Sequence, residues 1–406
     1  MKGKHVTLIG LNFHPESTAI GLYSTQLADY LLEQGAILDV ITAFPYYPQW
    51  KIAEEYKGKG SFLKEDYHGM TLRRYKQYTP AKPTFLKRII HIIDFTFGSF
   101  INLLKIKKCD YVISVVPFTS SAFLGYVQKK RFKAKYWIHI QDFEFDAAFQ
   151  SGLVQTKNEK KGFVYRSLMR LEKWLFSKAD TVSTISHMMM AKLTEKTTSS
   201  TYFLPNWIDQ ETIDPDKSKP HTYLTSPKFK IVYSGSIGDK QDWVFFMELV
   251  SKLDFNRFEI IIVGDGAQRK QLETEIKDHP GITLYPPVPY EELSDLLCSA
   301  DVHFLFQKTE VLDTVMPSKI LGMMASAKPS VITGHSDSEV AKVMQESEGG
   351  FYVSDKKVET ILTLLENMYQ NPQEAREMGI KARNYVVQNF AIDPILQGFV
   401  GELSQL

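Results

Sequence analysis

Along the chain, short runs of β-branched and aromatic residues alternate with stretches in which apolar residues recur every three or four positions. In the first half the runs are Val6–Leu11, Ile37–Thr42, Thr71–Arg74, Tyr111–Val116, Lys135–Ile140, Thr181–Ile185 and Thr201–Leu204. Between the first two, Gly21–Gln34 has helical spacing and is closed by Gly35, where a left-handed residue is wanted. After Pro205 the pattern restarts with Lys230–Tyr233, Phe258–Val263, Thr283–Tyr285, Val302–Phe306 and Ser330–Thr333, each followed by a helix-length stretch. Such alternation predicts an α/β chain of two doubly wound, Rossmann-like domains, each a parallel sheet covered by helices. The join is read at Pro205-Asn206-Trp207-Ile208-Asp209, with Asp214–Pro227 as a surface linker. From Val358 onward the pattern is helical, with breaks expected at Pro372 and Pro394. The parts are thus 1–205, 206–385, and a helical tail, 386–406, free to return to the first domain.

Composition narrows the class. A chain of 406 residues that is 44% hydrophobic, 23% charged and 13% aromatic has apolar material for two domains, which excludes disordered and fibrous readings. A formal charge of +1 argues against nucleic acid as a partner, yet the halves differ: 29 Lys+Arg against 17 Asp+Glu through Pro205, and 19 against 30 beyond it. Cys109 and Cys298 are the two cysteines, too few for a disulfide framework or a thiol zinc site, so a reducing, cytoplasmic setting is expected. The amino terminus shows no signal-peptide pattern, and no span of eighteen apolar residues occurs.

In doubly wound sheets, ligands bind beyond the carboxyl ends of the strands, so chemistry is sought in the loops that follow them. The segment Gly10-Leu11-Asn12-Phe13-His14-Pro15-Glu16, continuing to Gly21, is neither a dinucleotide fingerprint nor a Walker loop. Gly21 either lets a diphosphate approach backbone N–H groups at a helix start or merely packs the helix. Ser234-Gly235-Ser236-Ile237-Gly238-Asp239-Lys240 offers two glycines and a cation suited to a leaving diphosphate, although such a set is also an ordinary surface turn. Gly264-Asp265-Gly266 repeats the strand–glycine–helix arrangement. Trp137-Ile138-His139-Ile140-Gln141-Asp142-Phe143-Glu144 ends a strand in polar groups, with His139 and Gln141 on one face and Asp142 and Glu144 on the other. Asp142, nearest the strand end, is the preferred acid; Asp142, Glu144 and Asp146 also read as solvated loop acids, the more frequent fate of such residues. Pro317-Ser318-Lys319 opens a helix whose free N–H groups form another anion site or an ordinary capped start. No metal-ligand motif or serine-hydrolase elbow is present, so catalysis without metal or other cofactor is expected.

In order along the chain, Pro15-Glu16 with Gly21, Pro45-Tyr46-Tyr47-Pro48-Gln49-Trp50, Leu86-Lys87-Arg88, His139-Ile140-Gln141-Asp142, Val182-Ser183-Thr184-Ile185-Ser186, Pro205-Asn206-Trp207, Gly235 to Gln241 and Pro317-Ser318-Lys319 resemble retaining glycosyltransferase family 4, of the GT-B fold. The resemblance covers essentially the whole chain and points to the members that build bacterial surface polysaccharides. It implies two Rossmann-like domains facing a central cleft, an acceptor held by residues 1–205 and a nucleotide-sugar donor held mainly by 206–385. It implies donor-binding roles for Glu16, Gly21, Gly235, Gly238, Lys240, Gly264, Pro317, Ser318 and Lys319, and catalytic roles for Asp142, Lys240, His139 and Glu310. Two departures stand out: the arginine the family carries a few residues before Lys240 is missing, and the Glu-x7-Glu motif has Glu310 at its first position but Ser318 at its second. The implied reaction transfers a fucose- or N-acetylfucosamine-type sugar to a lipid-linked oligosaccharide. A sugar-nucleotide 2-epimerase of the same fold and an inactive partner subunit are the alternatives.

Peripheral attachment to a membrane surface is also expected. Lys51 through Asp110 carries thirteen Lys+Arg against six Asp+Glu, and Phe85–Lys108 within it is apolar with basic ends, a pattern suited either to an interfacial helix or to a helix buried on both sides.

Overall fold

The computed structural model describes residues 1–16, 19–82, 84–146, 159–309 and 318–406. It divides into two compact units, Met1–Pro205 with Ile395–Leu406, and Asn206–Pro394.

The first unit is built on eight strands: β1 (His5–Ile9), β2 (Ile37–Ala43), β3 (Phe62–Tyr67), β4 (Met70–Tyr75), β5 (Tyr111–Val116), β6 (Lys135–Ile140), β7 (Thr181–Thr184) and β8 (Ser200–Phe203). Their order is β3-β4-β2-β1-β5-β6-β7-β8, all neighbours being parallel except β3 and β4. Both neighbours of β1 are parallel to it, with Ile9 opposite Ile41 of β2 and Ser114 of β5. The strand order reverses there, so the loops after β1, β2 and β5 meet at a switch point. Every residue of β5 is buried, as a strand covered on both faces requires.

The second unit carries β9 (Phe229–Ser234), β10 (Phe258–Val263), β11 (Ile282–Tyr285), β12 (Val302–Phe306), β13 (Ser330–Thr333) and β14 (Gly350–Val353), in the order β11-β10-β9-β12-β13-β14 and parallel throughout. Its switch point lies between β9 and β12. The core joins the β9 residues Ile231 and Tyr233 to Phe246, Ile260, Phe304, Phe306, Ile320 and Met324.

Several sequence expectations need correction. The hairpin strand β3 was not anticipated, because its residues are alternately exposed and half-buried and lack an apolar face; His68 and Gly69 turn it with positive φ of 52° and 95°. The edge strand β14 begins at a glycine and was also missed. Asp214–Pro227 is not a surface linker: Ile213 just before it and Leu224 within it are buried, and Leu224 packs with Val232, Ile261 and Leu296. Pro394 does not break the last helix, Ile392–Gln405, but sits in its first turn, where the missing N–H loses no intrahelical bond. The break falls at Ala391, and Pro372 starts the helix Pro372–Phe390. The last helix packs on the first unit, with Phe399 edge-on to Trp137 at 4.9 Å between ring centroids.

Candidate active site

In the second unit, the loops after β9 and β10 are stacked into one platform. Gly235 N–H donates to the Val263 carbonyl (2.9 Å), Ile237 N–H to the Asp265 carbonyl (2.8 Å) and Gln268 N–H to the Ile237 carbonyl (3.0 Å). A methyl group at position 264 would lie 1.9 Å from the Gly235 carbonyl oxygen, and one at 266 would lie 2.3 Å from that of Ile237, so both positions must be glycine for the loops to touch. Gly235, at φ 136°, and Gly238 face a different environment: among the described residues, the nearest neighbours of methyls there are the Lys319 side chain (3.5 Å) and the Ser236 hydroxyl (3.5 Å). The space beside both glycines is therefore open, although their own N–H groups already donate to the Val263 carbonyl and to Gln241 Oε1 (3.2 Å).

Across the switch point, Lys308 N–H donates to the Lys240 carbonyl (3.0 Å) and Asp242 N–H to the Phe306 carbonyl (3.1 Å), tying the loop after β9 to the end of β12. Asp242 caps the helix Trp243–Lys252 through Phe245 N–H and pairs with Lys356 at 2.6 Å. Lys240 is exposed. The helix Ser318–Ala325 starts beside this loop, and the Lys319 ammonium lies 5.0 Å above the Tyr233 ring and 3.4 Å from its hydroxyl, which donates to the Ser236 carbonyl at 2.5 Å. Ser318 is exposed at the helix start. Gly235, Gly238, Lys240, Ser318 and Lys319 are thus gathered at one strand end, while Gly264 supports them from beneath. Glu310 and Pro317 lie outside the described residues.

In the first unit, Glu16 is buried, and its carboxylate accepts from the N–H groups of Tyr46 (2.7 Å) and Tyr47 (2.8 Å) and from the Asn12 amide (2.8 Å). Burial raises its pKa against the pull of those bonds. A methyl at Gly21 would lie 2.6 Å from the Glu16 carbonyl oxygen, which accounts for that glycine by packing. The expected donor-binding pair Glu16 and Gly21 is thus occupied with shaping its own loop.

His139 is likewise engaged within the fold. Its ring is buried, with Nδ1 2.9 Å from Ser183 Oγ and Nε2 2.8 Å from the Gln141 amide nitrogen. Since the amide donates, Nε2 accepts and Nδ1 carries the proton; burial pushes the pKa down to about 3, so the ring is neutral. Both ring nitrogens are therefore engaged within the fold, and His139 serves there as an internal strut. Asp142 is half-buried just past this strand end. Glu144 accepts from Thr119 N–H (2.8 Å) at the start of the helix Thr119–Phe132, and burial pushes its pKa up to about 7. Asp146 is paired with Lys192 and Lys196, both at 2.8 Å. Among the described residues no group of three or more His, Cys, Asp or Glu is placed to hold a metal ion.

Residues 18–207 match the family model described as "Glycosyl transferase 4-like domain" and residues 228–371 match "Glycosyl transferases group 1". Over 411 residues, 98% of this chain and 99% of the relative, the sequence is 30% identical to the putative colanic acid biosynthesis glycosyl transferase WcaI of Escherichia coli (strain K12). The chain belongs to the group 1 glycosyltransferases. The transferase also shares its fold with solved structures. One is sucrose-phosphate synthase from Thermosynechococcus elongatus, with TM-score 0.72 and 13% identity over 99% of this chain and 98% of that one. Another is Anabaena HepE in complex with UDP-glucose, with TM-score 0.68 and 12% identity over 99% and 100%. The fold is GT-B.

What sequence reasoning missed was the side-chain part of Lys319, read only for its backbone N–H, and a cluster of Tyr46, Trp50, Arg88 and His91 at the first switch point. The aromatic run Pro45–Trp50 was the available signal for the second.

Proposed function

We propose that this enzyme is a retaining glycosyltransferase that moves a sugar of fucose or N-acetylfucosamine type from a nucleotide-diphosphate sugar to a lipid-linked oligosaccharide in bacterial surface-polysaccharide synthesis. The observation that carries the reading is the glycine loop after β9 with Lys240 in it and Lys319 laid across it. Lys319 makes up the charge that the absent arginine would supply, and the start of the helix Ser318–Ala325 adds N–H donors in place of the missing glutamate. The nucleotide-sugar is assigned to the second unit and the acceptor to the first. In the reaction the sugar C1–O bond to the diphosphate breaks, the acceptor oxygen bonds C1 on the same face, and the acceptor proton passes to the departing diphosphate oxygen. The enzyme contributes orientation and preorganised positive charge, without metal. Asp142 is assigned to the acceptor side. The relatives support the reading: one is named for colanic acid biosynthesis, another was solved with UDP-glucose.

The same reading has the enzyme work at the inner face of the cytoplasmic membrane, attached peripherally. No helix among the described residues is long and apolar enough to cross a membrane. The helix Phe85–Leu104 instead exposes Leu86 (67%), Ile90 (45%), Ile93 (63%), Phe97 (65%) and Leu104 (50%). At 100° per residue these five fall within an arc of about 60°, a single stripe. Exposed Lys82, Lys87, Lys105, Lys107 and Lys108 flank it, as anionic lipid demands.

The test incubates the chain with membranes and radiolabelled UDP-, GDP-, ADP- and dTDP-sugars in turn. Label from one donor should enter the lipid fraction. A new nucleotide sugar formed without acceptor would favour the epimerase, and no turnover of any kind the inactive subunit.

A further inference from the structure

On the face of the helix Phe85–Leu104 opposite the apolar stripe lies a cluster that the transfer reaction above does not use. His91 is buried there, its Nδ1 hydrogen-bonded to the Tyr78 carbonyl. A carbonyl only accepts, so Nδ1 carries the proton and Nε2 presents a lone pair, for which the described residues supply no donor. The ring is enclosed by Tyr46 (5.2 Å between centroids), Trp50 (5.8 Å) and Phe118 (5.5 Å), drawn from the loops after β2 and β5. Trp50 is half-buried and held at φ 52°, a left-handed conformation that a bulky aromatic residue rarely adopts. The exposed Arg88 guanidinium lies 5.5 Å from the Trp50 ring centroid.

These groups differ in what they accept. An indole face takes the C–H face of a sugar, a buried lone pair takes a hydroxyl hydrogen, and a planar guanidinium takes a phosphate bidentately. Their height above the bilayer fits as well. An interfacial helix sinks about 5–10 Å and is about 10–12 Å thick, so its upper face lies at or just above the head groups. We propose that Trp50, Arg88 and His91 form a binding site for a glycosyl phosphate whose lipid end lies in the membrane, with the sugar on Trp50, one hydroxyl donating to His91 Nε2 and the phosphate on Arg88. The proposal rests on the membrane-surface transferase reading and assigns the acceptor's anchor end to named residues.

Calorimetry on the full chain tests it with three probes: farnesyl diphosphoglucose, farnesyl diphosphate, and vesicles containing phosphatidylglycerol. Arg88→Gln should weaken both farnesyl ligands by about tenfold or more, the worth of one charge-assisted bidentate contact. Trp50→Ala should weaken the glucose-bearing ligand by about tenfold and farnesyl diphosphate by less than about threefold, since only the former has a ring to stack. Vesicle binding by either variant should stay within about twofold of wild type, because the stripe and five lysines remain. The proposal is overturned if the wild type binds neither farnesyl ligand, if Arg88→Gln binds both as wild type does, or if that variant loses vesicle binding alone, which would make Arg88 a head-group contact. Wild-type binding that depends on Arg88, in a chain that moves no label into lipid, would keep the site and refute the transferase reading instead.

Discussion

Gly21, after the first strand of the first unit, has no room beside it: a methyl would lie 2.6 Å from the Glu16 carbonyl, and the Glu16 carboxylate is spent on the Tyr46 and Tyr47 amides. Among the described residues, a methyl at Gly235, after the first strand of the second unit, has only a lysine tail within 4 Å, and one at Gly238 only side-chain oxygens. Both loops end a central strand and open toward a helix, yet one is filled by its own chain and the other leaves the space beside its glycines open and a cation exposed. A glycine after a strand therefore says that something comes close; whether it is protein or ligand depends on what the neighbouring loop contributes. Gly264 is the intermediate case, a glycine required by the Gly235 loop above it.

The comparison is most exposed to failure at the cations. Lys240→Ala and Lys319→Ala should each lower turnover by about two orders of magnitude with unchanged melting. If either stays within a few-fold of wild type, that lysine does not meet the diphosphate. Next come the glycines and their neighbours, read by thermal melting. Gly264→Ala should cost about 1–3 kcal/mol by overpacking, and Glu16→Ala a similar amount through two unpaired amides, whereas Gly238→Ala should melt within about 0.5 kcal/mol of wild type. Equal losses at 238 and 264 would erase the distinction between open and filled glycines.

Glu144 gives a smaller, pH-dependent effect. Burial raises its pKa from 4.5 to about 7, so the folded chain holds that proton more tightly than the unfolded one. Ionising the group therefore opposes folding, a cost absent well below pH 4.5 and fully present above about pH 7. Glutamine removes the cost and keeps an acceptor for Thr119 N–H, so the melting temperature of Glu144→Gln relative to wild type should climb from pH 5 to pH 8. A flat difference would mean that the carboxyl is solvated. The smallest expected effect is none: transfer should continue in EDTA. Abolition by chelator with rescue by Mg²⁺ or Mn²⁺ would replace the two-lysine account.

Much of this was legible in the chain. Buried parallel strands such as β5, β6, β10, β12 and β13 read as runs dominated by β-branched and aromatic residues, so their limits matched to the residue. The hairpin strand β3 carries Lys64, Glu65 and Asp66 in sequence and looked like loop. The glycine loop and Lys240 were visible because glycine and lysine declare themselves locally. The contacts of Glu16 and His139 within the fold were not legible, because a polar residue near a strand end reads alike whether it faces ligand or the fold, and their partners Tyr46, Tyr47 and Ser183 lie about thirty or more residues away. Arg88 and His91 share a helix with Leu86 and Ile90, and only the folded helix separates their face from the exposed apolar stripe.

The last helix has a bearing on how the protein is made. Residues 395–406 belong to the first unit, where Phe399 covers Trp137 and Ser404 Oγ lies 3.6 Å from the Met1 sulfur. The second unit is one continuous stretch, but the first is closed by a segment that follows the second in the chain. During translation Trp137 therefore waits, uncapped, until the whole second unit has been made, and the first unit is completed only after it. Truncation of the final dozen residues should injure the amino-terminal unit, and a peptide of those residues added back should mend it.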